Sequence, residues 1–93
     1  MTISEEIIDI FSEINDKRVM KQLFEEIFTE KERKDVSLRW QLLKELHEGR
    51  PQRKIAVDHK ISLCKITRGS KILKNKDSTI KKILFDKYGK KKK

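Results

Sequence analysis

Residues 52–74 read QRKIAVDHKISLCKITRGSKILK, and the reading of this stretch decides the fold. With Pro51 suited to the first turn of a helix, a short helix is predicted from Pro51 to Val57. Asp58-His59-Lys60-Ile61 reads as a turn, after which Ser62 can cap a second helix running to about Lys74. Ile55, Ile61 and Ile66 can fill the junction between the two, and Ala56 is small enough for them to approach over it. Two short helices joined this tightly can lay the second in the major groove of DNA while the first braces it across the backbone. Arg53, Lys54, Lys65, Lys71 and Lys74 surround the second helix with charge that seeks phosphates. Two positions depart from the pattern. Lys60 stands where such turns often carry glycine for a positive φ, and His59 stands where an apolar residue is expected.

The flanking sequence extends a wholly helical reading, with a single proline, three glycines and no regular alternation of apolar and polar residues. Thr2 and Glu5 have capping-box spacing, and Ile7, Ile8, Phe11 and Ile14 then line one face of a first helix. Asn15-Asp16 offers a break and a new cap before a second helix with Val19, Met20, Leu23, Phe24 and Ile27 inward. Thr29 and Glu32 form another capping box, and Val36, Leu38, Trp40, Leu42, Leu43 and Leu46 make the third helix apolar on more than one side. Gly49 suits the stop of that helix. Beyond Lys74, Asn75-Lys76-Asp77-Ser78 is a polar break, and a last helix is expected to bury Ile80, Ile83 and Leu84. The fold class expected is all-α, with about six short helices.

At 93 residues the chain makes one small domain. Its expected extent is residues 1–89, with a dimerisation core in about 1–49 plus 78–88, the helix pair in 52–74, and a basic tail at 90–93. Only 35% of residues are apolar and 42% are charged, so a core shared with a second copy, a homodimer, is expected. The net charge of +9 is segregated: residues 1–49 carry 8 Lys/Arg and 12 Asp/Glu, whereas residues 50–93 carry 16 Lys/Arg and 3 acids. The first part therefore reads as scaffold and the second as the part that meets a polyanion. Cys64 is the sole cysteine, which fits a reducing cytoplasm, and no signal peptide or membrane-spanning run is evident. His47 and His59 have no partners at metal-ligand spacing, so no metal is expected. No nucleophile–base arrangement, paired acids or glycine-rich phosphate loop points to an enzyme.

The string Ile66-Thr67-Arg68-Gly69-Ser70 with Leu73-Lys74, together with Thr29, Glu32-Arg33, Arg39, Leu42-Leu43 and Gln52-Arg53, resembles the bacterial Trp operon repressor family over about residues 23–74. The resemblance implies an intertwined helical homodimer of the bacterial cytoplasm that binds L-tryptophan as co-repressor and then double-stranded operator DNA. Its targets would be genes of tryptophan biosynthesis or uptake. It implies that Arg39 and Arg68 sandwich the indole ring, where a guanidinium plane stacks well on an aromatic face, with Arg68 also holding the carboxylate. Thr29 would line the pocket, the carbonyls of Glu26 and Phe28 would accept the ligand ammonium, and Gly69 would let the chain pass close to the indole. Ile72 stands where the family carries a serine hydroxyl near that ammonium, and the Gly49–Gln52 loop is one residue shorter than in the commonest members. Base contacts would come from Ser62, Leu63, Cys64, Lys65 and Thr67, mediated largely by water. Gln52, Arg53, Lys54, Lys71 and Lys74 complete the DNA-facing set. Two other readings remain open: a helix-turn-helix protein that needs no ligand, and a basic protein that binds nucleic acid without sequence preference.

Overall fold

A computed structural model describes Ile3–Gly89, so Thr2 and the lysine tail at 90–93 lie outside the described residues. Those described form six helices and no strand: α1 (Glu5–Glu13), α2 (Lys17–Ile27), α3 (Glu30–His47), α4 (Gln52–His59), α5 (Leu63–Lys74) and α6 (Thr79–Tyr88). They fall into two compact units that divide between Asp35 and Val36. None of the helices is long and apolar enough to cross a membrane.

In the first unit, each helix begins where a side chain takes up an orphan amide of the first turn. Ser4, rather than the expected Thr2, caps α1 and accepts from the Ile7 amide at 3.4 Å. Asp16 caps α2, its Oδ1 accepting from the Arg18 amide at 2.8 Å. At the start of α3 the Glu32 amide donates to Thr29 Oγ1 at 3.1 Å, and the Thr29 amide donates to Glu32 Oε1 at 2.8 Å. That is the reciprocal capping box its spacing predicts. The two Thr29 bonds, the backbone one foremost, hold the Glu32 carboxyl below its ordinary value. Phe24 joins the elements, its ring centroid 5.6 Å from that of Phe11 and 5.1 Å from that of Phe28. Burial departs from expectation. No residue of α1 or α2 is fully buried, and Ile8, Val19 and Ile27, expected inward, are exposed along with Ile3 and Ile10. An open groove in this unit is lined by residues that include Ile14, Met20, Phe24 and Arg33.

The second unit holds the buried core. Leu42 and Leu46 of α3 meet Ile55 of α4 and Ile66 of α5, and Leu38, Ala56, Ile61 and Leu73 pack around them. Ile55, Ile66 and Leu84 are completely buried. Two left-handed residues end helices here, each by the same pair of bonds. At Gly49 (φ 89°) the Gly49 amide donates to Leu46 O and the Arg50 amide to Glu45 O. At Lys60 (φ 55°) the Lys60 amide donates to Val57 O and the Ile61 amide to Ala56 O. This Schellman closure carries α4 two residues past the expected end at Val57, and leaves Pro51 as its N-cap rather than in its first turn. Downstream, Ser78 caps α6 through the Lys81 amide at 3.2 Å, after an Asn75–Asp77 side-chain turn. Of the three residues expected to be buried on α6, Leu84 is fully buried, Ile80 is half-buried and Ile83 is exposed.

Candidate nucleic-acid interface

The connection between α4 and α5 is three residues, Lys60 to Ser62, and the two helices pack against each other. On α5 the inward positions recur at helical spacing: Ile66 and Gly69 are buried, Ser70 and Leu73 partly so. The remaining face is open. Ser62, Leu63, Cys64, Lys65 and Thr67 are all exposed at the start of the helix, as are Lys71 and Lys74 in its last turn. Ser62 occupies the N-cap position, yet its side chain makes no capping bond. The Thr67 hydroxyl donates to Leu63 O at 3.1 Å within the helix. On α4, Arg53 and Lys54 are exposed in the first turn. Gln52 differs from them: half-buried, it donates from Nε2 to Ser70 Oγ at 3.3 Å, a bond that ties α4 to α5.

Gly69 is buried for a reason its sequence context does not reveal. A Cβ on it would lie 3.1 Å from Leu46 Cδ1 and 3.4 Å from Leu43 Cδ2. The missing side chain therefore lets α5 approach α3. Arg68 beside it is exposed, Ile72 is half-buried, and Arg39 on α3 is exposed. In the first unit Thr29 is exposed and committed to the capping box. Glu26 lies in the last turn of α2, where helical carbonyls run out of amide partners. The carbonyl of Phe28 already accepts from the Arg33 guanidinium at 2.5 Å, and the same Nη1 donates to Glu25 O at 3.0 Å. A carbonyl oxygen has two lone pairs, so one acceptor site on Phe28 is taken by the protein's own cation.

A charged cluster that the sequence signalled only through the oddity of His59 lies between α3 and α4. Glu45 is 4% exposed. It accepts from Gln41 Nε2 at 3.1 Å, from Arg50 Nη1, and pairs with His59 Nε2 at 2.6 Å. The other end of Arg50 pairs with Asp58. Burial pushes the Glu45 carboxyl up, but the bonds from His59 and Gln41, with the charges of His59 and Arg50, outweigh it and leave the group below its ordinary value. Among the described residues no group of three or more His, Cys, Asp or Glu side chains could hold a metal ion.

Comparison with known proteins adds an independent line. The profile of the family described as Trp repressor protein matches residues 4–87. Proteins called Trp operon repressor homolog from Chlamydia trachomatis serovars L2, D and A are each 35% identical over 78 residues, covering 83% of this chain and 83% of the relative. No solved structure matches.

Proposed function

The chain belongs to the Trp repressor family, a family of DNA-binding transcription regulators and not of enzymes, and from that premise we propose a ligand-gated repressor that acts as a homodimer on operator DNA in the bacterial cytoplasm. The observation that carries the reading is the two-sidedness of α5. Ile66 and Gly69 fasten the helix to α3 and α4 while Ser62–Lys65, Thr67, Lys71 and Lys74 stand in solvent. In this reading the first turn of α5 meets base edges, and Arg53, Lys54, Lys65, Lys71 and Lys74 meet phosphates. Gln52 acts from within, by holding α4 to α5.

Dimerisation is supported by the first unit, whose helices bury no residue completely and expose Ile3, Ile8, Ile10, Val19 and Ile27. A second copy supplies the missing cover, and two reading heads can then reach successive major grooves about 34 Å apart.

L-tryptophan is proposed as the co-repressor, with Arg39 and Arg68 on its ring, Arg68 on its carboxylate, and Gly69 and Ile72 beside them. The ammonium is the weak point of the fit. Ile72 offers no hydroxyl to it. One lost hydrogen bond to a charged group weakens binding by roughly 1.5–3 kcal/mol, so the expected affinity is modest. Ligand and operator then tighten each other's binding reciprocally. A gel shift on the DNA upstream of the chain's own reading frame, with and without L-tryptophan, tests the proposal. A shift that strengthens with tryptophan is the expected result, and an unchanged shift would leave DNA binding standing without the ligand.

A further inference from the structure

We propose that Glu45 is a positioning residue for the DNA-reading helix pair, acting through His59 and Arg50, and that protonation of His59 tightens its hold. The proposal rests on the DNA-binding reading above and concerns how that binding is regulated. Glu45 grips α4 from both ends. Arg50 lies just before the helix, linking Glu45 to Asp58 in its last turn, and His59 is the final residue of α4. The residue after His59 is the left-handed Lys60, from which the chain turns directly into Ser62 and α5. A displacement of the His59 end is thus passed on to the start of α5, where the proposed base contacts lie.

The type of contact matters as much as its place. An apolar residue at position 59 would supply packing, which tolerates small slides. A carboxylate 2.6 Å from an imidazole nitrogen demands one distance and one direction. Buried ion pairs add little net stability but can select one arrangement among several. The imidazole can donate from Nε2 in its neutral form, given that tautomer, and also in its charged form. Glu45 is an anion, so the bond is charge-assisted with either form of the ring; the charged ring adds the attraction between opposite charges. Histidine is the side chain that ordinarily changes charge between about pH 5 and 8.

Charged and polar groups from several elements surround the ring. From α3 come Glu45 and Gln41, with Glu48 acting on Arg50. The connection supplies the cation Arg50, and α4 supplies Asp58, which Arg50 engages, with Lys60 following. α5 contains no carboxylate, and its charged groups Lys65, Arg68, Lys71 and Lys74 are exposed. The carboxylate nearest the ring is Glu45, and it is buried.

The test compares the wild-type chain with Glu45→Gln and His59→Gln. The probes are a duplex enriched by the wild type from a random-sequence pool and an unrelated duplex, read by fluorescence anisotropy between about pH 6 and 8. Circular dichroism checks helix content. Both variants are expected to bind the enriched duplex about tenfold more weakly, with the unrelated duplex bound as before. Wild-type affinity for the enriched duplex should fall as pH rises, and His59→Gln should flatten that slope. Parallel slopes in wild type and His59→Gln, or equal losses on the two duplexes, would overturn the proposal. Should Glu45→Gln not fold, the paired change Glu45→Leu with His59→Leu replaces the ionic contact by packing. That protein is expected to discriminate less between the duplexes and to show no His59-dependent slope, and undiminished discrimination would count against positioning. A pool that enriches no sequence would overturn the DNA-reading function itself, an outcome distinct from all of these.

Discussion

Lys60 holds a backbone conformation, φ 55° and ψ 46°, that L side chains adopt at a cost of about 1 kcal/mol. The chain needs that conformation, because it lets the Lys60 and Ile61 amides close the end of α4 on Val57 O and Ala56 O. Lys60→Gly is therefore expected to stabilise the protein by about 1 kcal/mol, seen as a higher thermal midpoint at fixed protein concentration. A lower midpoint would mean that the lysine side chain contributes more than the strain removes. Glu45 carries a pH prediction. Its carboxyl lies below the ordinary value of 4.5 in the folded chain, so its contribution to stability is present above about pH 4.5 and is lost as pH falls through the lower, folded value. Urea unfolding followed from neutral to acid pH should show this loss, and Glu45→Gln should reduce it. The need for a left-handed residue at position 60 was legible in the turn pattern. The partner of His59 was not, because Glu45 lies fourteen residues away on another helix and no local spacing connects them.

Helix starts were legible where one side chain alone could serve, and less so where two could. Thr29 and Glu32 bond reciprocally as their spacing required. At α1 the Thr2–Glu5 spacing competed with Ser4 immediately before Glu5, and it is Ser4 that accepts the Ile7 amide. Thr29→Ala should lower the stability of the ligand-free protein by about 1 kcal/mol. Thr29→Ser, which keeps the oxygen, should lose much less, and chemical denaturation of the three proteins decides the matter. The α4–α5 junction was legible because Ile55, Ala56, Ile61 and Ile66 have few alternative places to go in so small a unit. Periodicity located the apolar faces of α1, α2 and α6. It could not say whether this chain or another covers them, which is why Ile8, Val19, Ile27 and Ile83 were expected inside and are exposed. Gly69 was legible from the sequence as a place of close approach, and within the chain it is Leu46 and Leu43 that a Cβ there would meet. A glycine announces close approach without naming what approaches.

At the scale of the whole molecule, charge separates the proposed repressor from a basic protein that binds nucleic acid indiscriminately. Sixteen of the 24 Lys/Arg residues lie at positions 50–93, and two groups among them differ in kind. Arg53, Lys54, Lys65, Lys71 and Lys74 are carried on α4 and α5, held by the core of Ile55, Ile66, Leu42 and Leu46. Lys90–Lys93 follow the last described residue. Each phosphate neutralised contributes about 0.9 to the slope of log affinity against log salt concentration. Removing a helix-borne lysine should therefore reduce that slope by about one per chain, or roughly two in a dimer. Lys71→Ala and Lys74→Ala should do so on an enriched duplex and weaken it nearly uniformly across sequences, since phosphates carry no base identity. Truncation after Gly89 is the discriminating case. If binding depends on the helix pair, the truncated chain keeps its preference for the enriched duplex and loses only part of its salt slope. If the tail drives binding, truncation weakens both duplexes alike and Arg53→Ala with Lys54→Ala changes little. Salt titrations of these proteins on both duplexes therefore test whether the basic charge is displayed in a fixed pattern or merely accumulated, a distinction that composition cannot make and that α4 and α5 make possible.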